Sequence, residues 1–130
     1  MGDGGSARRP HKKLRAWRES IRLVIEVYRN VRTFPNFERF GLAAQMQRAA
    51  VSVPSNIAEG AARHSKKEFL KFIYIAKGSL SELDTQIEIG RDLGFLSDSS
   101  STKLLELIGE IDRLLTGLIS SIRRKLTSEE

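Results

Sequence analysis

Three apolar seams, each advancing by alternating steps of three and four residues, constrain this chain more than any other feature. The first is Leu14, Trp17, Ile21, Val24, Tyr28 and Val31; the second is Phe69, Ile73, Ala76, Leu80, Leu83 and Ile87; the third is Leu104, Ile108, Ile111, Leu115, Leu118 and Ile122. A three-four repeat holds its side chains on one side of an α-helix and packs them against other helices. Extra apolar positions widen every seam: Leu23, Ile25 and Val27; Phe72 and Ile75; Leu105, Leu107, Leu114 and Ile119. A helix apolar over that much of its surface touches more than one neighbour. No segment alternates with the period of two that a strand needs.

The punctuation between the seams places the boundaries. Residues 1–13 read as a flexible basic N-terminal arm ending near Pro10. Helix one is expected over 14–32, because Pro35 cannot continue it and holds Phe34 out of helical conformation. Phe34, Phe37 and Phe40 in the connection are expected to fold back on the core. Helix two is expected over 42–62 with Pro54 inside it, which removes a backbone hydrogen bond and predicts a kink or break near Ala50. Ser65-Lys66-Lys67-Glu68 has the capping-box pattern and opens helix three, expected over 65–92 with Gly94 as its stop. Ser97 or Asp98 caps helix four, expected over 98–126, followed by a tail at 127–130. Gly78, Gly109 and Gly117 weaken the helices that hold them, so a closely approaching neighbour is expected at each. The fold class that follows is all-α, an up-down-up-down antiparallel four-helix bundle.

Charge is uneven along the chain. Arg8, Arg9, Lys12, Lys13, Arg15, Arg18, Arg22, Arg29 and Arg32, set against Asp3, Glu19 and Glu26, account for the whole net charge of +6, and residues 34–130 balance. Such a block contacts phosphates or simply keeps the chain soluble. There is no cysteine among the 130 residues, which excludes disulfides and thiolate metal sites and suits a reducing cytoplasm. No apolar run is long enough for a membrane span, and the first residues lack the apolar region of a signal peptide. The expected location is cytoplasmic, with no membrane contact.

Helix two carries a second pattern. Gln45, Arg48, Ser52, Asn56, Glu59 and Arg63 fall on one helical stripe, flanked by Ala49, Ala50, Ser55, Ala58, Ala61 and Ala62. Ser79, Glu82 and Gln86 form a matching stripe on helix three. The structural reading is a polar seam of Gln45, Ser52, Asn56, Glu59, Ser79 and Glu82 between helices or subunits; the functional reading is a surface that grips a polar ligand. Lys77-Gly78-Ser79 is no phosphate loop, since the upstream glycine and preceding strand are missing. His11 and His64 have no Asp or Cys partners at ligand spacing, and no nucleophile or metal triad appears. The expectation is a non-enzyme with no cofactor and no metal.

The run Gln45…Arg48-Ala49-Ala50-Val51-Ser52-Val53-Pro54-Ser55-Asn56-Ile57-Ala58-Glu59-Gly60, then Arg63…Ser65-Lys66-Lys67-Glu68-Phe69, then Ile75-Ala76-Lys77-Gly78-Ser79-Leu80-Ser81-Glu82-Leu83, resembles the four-helix bundle proteins first noticed in intervening sequences of bacterial 23S ribosomal RNA genes (S23-type). Phe34-Pro35…Glu38…Gly41-Leu42 and Leu93-Gly94-Phe95-Leu96 are similar to that family too, and the likeness spans about residues 14–122. It implies a small bacterial cytoplasmic protein assembled as a homopentameric ring. It also implies distant kinship with the accessory protein of diversity-generating retroelements, which binds nucleic acid and a reverse transcriptase. The family's own activity is not established. Ala43 stands where members carry a helix-capping threonine, which leaves the start of helix two open, and the basic arm lies outside the shared motif.

Two functions compete. In the first, the oligomer binds RNA or DNA backbone without sequence preference, through Arg8, Arg9, Lys12, Lys13, Arg15, Arg18 and Arg22, with Arg48, Arg63, Lys66 and Lys67 as second candidates. In the second, it is a protein-interaction scaffold that docks a partner such as a polymerase and binds no nucleic acid itself.

Overall fold

A computed structural model describes residues 9–129. Four α-helices account for most of them: α1 (Arg15–Asn30), α2 (Leu42–Ala61), α3 (Lys66–Asp92) and α4 (Asp98–Glu129). Short 3-10 turns at Pro10–Lys13, Val31–Thr33 and Asn36–Glu38 complete the framework, and no strand occurs among the described residues. Each helix packs on the one before it, and α1 closes the square against α4. Neighbours run antiparallel. Tyr74 meets Arg123 while Lys77 meets Asp112 across α3 and α4, and Ser52 meets Ser79 while Gly60 meets Phe72 and Phe69 across α2 and α3.

The seams of α3 and α4 are buried as expected: Ile73, Ala76, Leu80, Leu83 and Ile87 face Leu104, Ile108, Ile111, Leu115 and Ile122 in one core with Met46, Val53 and Ile57 of α2. Helix α1 is rotated from its expected seam. Ala16, Ser20, Leu23 and Val27 point inward, Leu14, Trp17, Val24 and Val31 lie on the edges, and Ile21, Ile25 and Tyr28 stand 37%, 46% and 45% exposed. Small Ala16 and Ser20 let the helix lie close to the core. The Ser20 hydroxyl donates to the Trp17 carbonyl at 2.8 Å, so burying it leaves no orphaned polar group.

The connections carry most of the other corrections. Pro54 is buried inside an unbroken α2, so the helix does not divide near Ala50. The start of α2 needs no threonine at Ala43, because the Glu38 carboxylate accepts from the Leu42 backbone N–H at 2.8 Å. Of the three loop phenylalanines only Phe34 folds inward, 5.3 Å from Phe95; Phe37 and Phe40 are exposed. Ser65 caps α3 by accepting from the Glu68 N–H, and Ser97 accepts from the Ser100 N–H at the start of α4. Gly94 ends α3 at φ +80°, with Phe95 and Gly94 returning hydrogen bonds to Gly90 and Arg91. Residues Pro10–Lys13, expected in a flexible arm, form a turn packed on α1 and α2. Helix α4 continues through residues expected in a tail.

The glycines divide unexpectedly. A Cβ on Gly60 would lie 2.8 Å from Phe72 Cβ and 2.9 Å from Phe69 Cδ1, so α2 and α3 meet there on a glycine. Gly78 and Gly117 have nothing within 4 Å, and Gly109 only the Arg113 guanidinium at 3.6 Å. The neighbour expected at those three is therefore absent within the described residues.

Candidate nucleic-acid interface

Antiparallel order places the start of α1, the end of α2, the start of α3 and the end of α4 at one end of the bundle. Each brings cations: Arg9, Lys12 and Lys13 from the first turn, Arg63 from the end of α2, Lys66, Lys67 and Lys71 from α3, and Arg123, Arg124 and Lys125 from α4. The opposite end is mixed: Glu88 and Asp92 near the end of α3 and Asp98 at the start of α4 stand with Arg29, Arg32, Arg39, Arg91 and Lys103. Lys71, Arg123, Arg124 and Lys125 are absent from the sequence-based candidates for this reason, since only the helix order joins them to the others.

The individual cations differ in what they touch. Arg8 lies outside the described residues. Lys12 and Lys13 are exposed and have no acidic partner within 4 Å among the described residues, as does Arg9. Arg18 is occupied within the chain: its guanidinium donates to the Lys12 and Lys13 carbonyls at 3.2 and 2.9 Å and holds the turn on the helix. Arg15 reaches Glu110 at 3.6 Å and Arg22 pairs with Glu19 at 3.0 Å, so both spend charge inside the chain. Arg63 pairs with Glu59 at 2.7 Å and lies 5.0 Å over the Phe72 ring. Arg123 donates to the Tyr74 hydroxyl and lies over its ring. Arg124, Lys125, Lys67 and Lys71 are exposed.

Helix dipoles sharpen the contrast. Arg123, Arg124 and Lys125 sit near the negative end of α4, where cations stabilise a helix. Lys67 sits beside Glu68 in the first turn of α3, near the positive end of that helix's dipole.

His11 closes this end against Trp17, with ring centroids 5.0 Å apart and an edge-on geometry. Its pKa is lowered by burial first, then by the charges of Lys12 and Arg9.

The centre of the polar stripe lies between α2 and α3. Ser52 and Ser79 hydroxyls lie 2.8 Å apart, Ser79 also donates to the Ile75 carbonyl, and the Asn56 amide donates to the Ser52 carbonyl and hydroxyl at 2.8 and 2.9 Å. Gln45, Glu59 and Glu82 are exposed and lie outside that network. Arg48 is exposed too, in a shallow cleft with Gln45, Ser52 and Glu82. Among the described residues no group of three His, Cys, Asp or Glu is placed to hold a metal ion, and no helix is long and apolar enough to cross a membrane.

A family model described as 23S rRNA-intervening sequence protein matches residues 12–117. A crystal structure from Bacteroides thetaiotaomicron, described as a protein with unknown function from the S23 ribosomal protein family, superposes with a TM-score of 0.75. The match covers 80% of this chain and 97% of that one at 18% identity, a likeness of fold alone. No curated protein matches the chain.

Proposed function

From the premise that the chain belongs to the 23S rRNA-intervening sequence protein family, we propose that it is a non-catalytic bundle that binds RNA or DNA backbone without sequence preference through its basic end. The observation that carries this reading is the gathering of exposed cations from four separate segments onto one end, whereas the other end mixes cations and acids. Phosphates are bound at the basic end as charge, without readout of base edges. Lys12, Lys13, Lys67, Lys71, Arg124 and Lys125, exposed and without an acidic partner among the described residues, are the principal contacts. Arg15, Arg18 and Arg22, engaged within the chain, have a lesser share.

The reading includes self-association, with the ring of five as its specific form. Its support is the exposed apolar strip of Ile21, Ile25 and Tyr28, where Tyr28 shares a cleft with Val51 of α2. That same strip favours the second reading, a scaffold that docks a protein partner such as a polymerase and leaves nucleic acid alone. Fluorescence anisotropy of unrelated RNA and DNA oligonucleotides at low salt separates the two. Similar affinity for all of them supports backbone binding. No binding to any leaves the scaffold.

A further inference from the structure

The end of the bundle opposite the basic one presents two aromatic rings to solvent. Phe37 is 77% exposed and Phe40 87%, the highest values among the exposed large hydrophobics of the described residues. They are three residues apart on a turn whose i→i+3 bonds, Asn36 to Arg39 and Glu38 to Gly41, continue past the 3-10 segment. That spacing sets both side chains on one side of the turn.

The turn is held firmly. Phe34 is buried against Phe95, Thr33 donates to the Phe95 carbonyl at 2.8 Å, and Glu38 is tied to the first turn of α2. Phe37 meets Phe95 edge-on with centroids 6.3 Å apart, and the Arg39 guanidinium lies 5.5 Å from the Phe40 centroid. Arg39 and Arg32 share a cleft with Asn36 and Gln47, and neither has an acidic partner within 4 Å among the described residues.

We propose that Phe37 and Phe40, with Arg32 and Arg39, form a platform for unpaired bases of a single-stranded nucleic acid. Bases stack on exposed aromatic faces whatever their identity, and guanidiniums beside the rings take the phosphates between them. A protein partner fits the rings equally well, but it gives no reason for Arg39 against the Phe40 ring and Arg32 in the adjoining cleft, both without an acidic partner among the described residues. The ligand class rests on the function proposed above; the site does not, because it lies at the other end of the molecule.

The test compares an oligothymidylate of about twelve nucleotides with a duplex of similar length. Phe37→Ala/Phe40→Ala should weaken single-strand binding about tenfold or more and leave duplex binding unchanged. Phe37→Tyr/Phe40→Tyr should restore it. Both positions are exposed, so circular dichroism should report the same helical fold. Equal single-strand binding by wild type and the alanine variant overturns the platform, while duplex binding keeps the basic end standing. A change in particle mass with single-strand binding intact overturns it in favour of a protein contact. Wild type that binds neither probe overturns both proposals.

Discussion

The hydroxyls of Ser52 and Ser79 lie 2.8 Å apart across the α2–α3 interface, and the Asn56 amide closes the group by donating to Ser52. Within one chain this is the part of the polar stripe that lies between helices: three side chains satisfying one another beside buried alanine and isoleucine. Ser52→Ala removes a partner from both others and should lower stability by about 1 kcal/mol. Ser79→Ala should cost a similar amount. The double variant should fall short of the sum, since the two residues share one bond. Urea unfolding of the four proteins measures that coupling, and strict additivity would show that the hydroxyls do not interact.

Gly60 and Gly78 should respond oppositely to alanine. At Gly60 the new methyl meets Phe72 and Phe69 at 2.8 and 2.9 Å, so overpacking should outweigh the gain in helix propensity, for a net loss of about 1 kcal/mol or more. At Gly78 nothing lies within 4 Å, so alanine should stabilise the isolated chain by about 0.5–1 kcal/mol. Thermal melts of both variants at low protein concentration check the pair. A loss at Gly78 would reveal a neighbour from another copy.

Glu38 and Gly41 act on one bond. Glu38→Ala takes the acceptor from the Leu42 N–H and should cost about 0.5–2 kcal/mol. Gly41→Ala builds a Cβ 2.6 Å from the Glu38 carboxylate oxygen, displaces it, and should forfeit much of the same energy. Once Glu38 is alanine, the further loss from Gly41→Ala should shrink, which chemical denaturation of the single and double variants reads directly.

These residues also show what was legible in the sequence. The seams of α3 and α4 are plain because their inward positions are mostly large and apolar. Helix α1 has apolar residues on more than one face, and its true inward positions, Ala16 and Ser20, carry little or no hydrophobic signal. Gly60 and Gly78 look alike in sequence, and only the space around them tells a packing glycine from an open one. The Glu38 cap comes from four residues upstream of the N–H it serves, across a turn the capping rules do not describe. The basic end was hidden for a similar reason: Lys67, Arg124 and Lys13 are distant in the chain, and only antiparallel order collects them.

His11 gives the basic end a pH response. Its lowered pKa means the folded chain takes the proton less readily than the unfolded chain, whose value is near 6.5. The associated stability is present above that value and is lost as pH falls through the folded one. Trp17 is the chain's one tryptophan and touches the His11 ring, so its fluorescence should titrate with a midpoint below 6.5. His11→Ala should abolish that transition. Its persistence in the variant would assign the titration to another group.

The central claim is that cations collected at one end of the bundle bind the nucleic-acid backbone. The most direct measurement is the slope of log affinity against log salt for a random duplex. The wild type is set against two variants of equal charge loss: Lys67→Gln/Arg124→Gln/Lys125→Gln at the basic end, and Arg29→Gln/Arg91→Gln/Lys103→Gln at the other. Each lost phosphate contact reduces the slope by about 0.9. Binding by the collected cations should make the slope shallower by about 2 to 3 for the basic-end variant and leave it nearly unchanged for the control. Equal slopes for both variants would contradict it, because binding would then follow total charge rather than its placement by the fold.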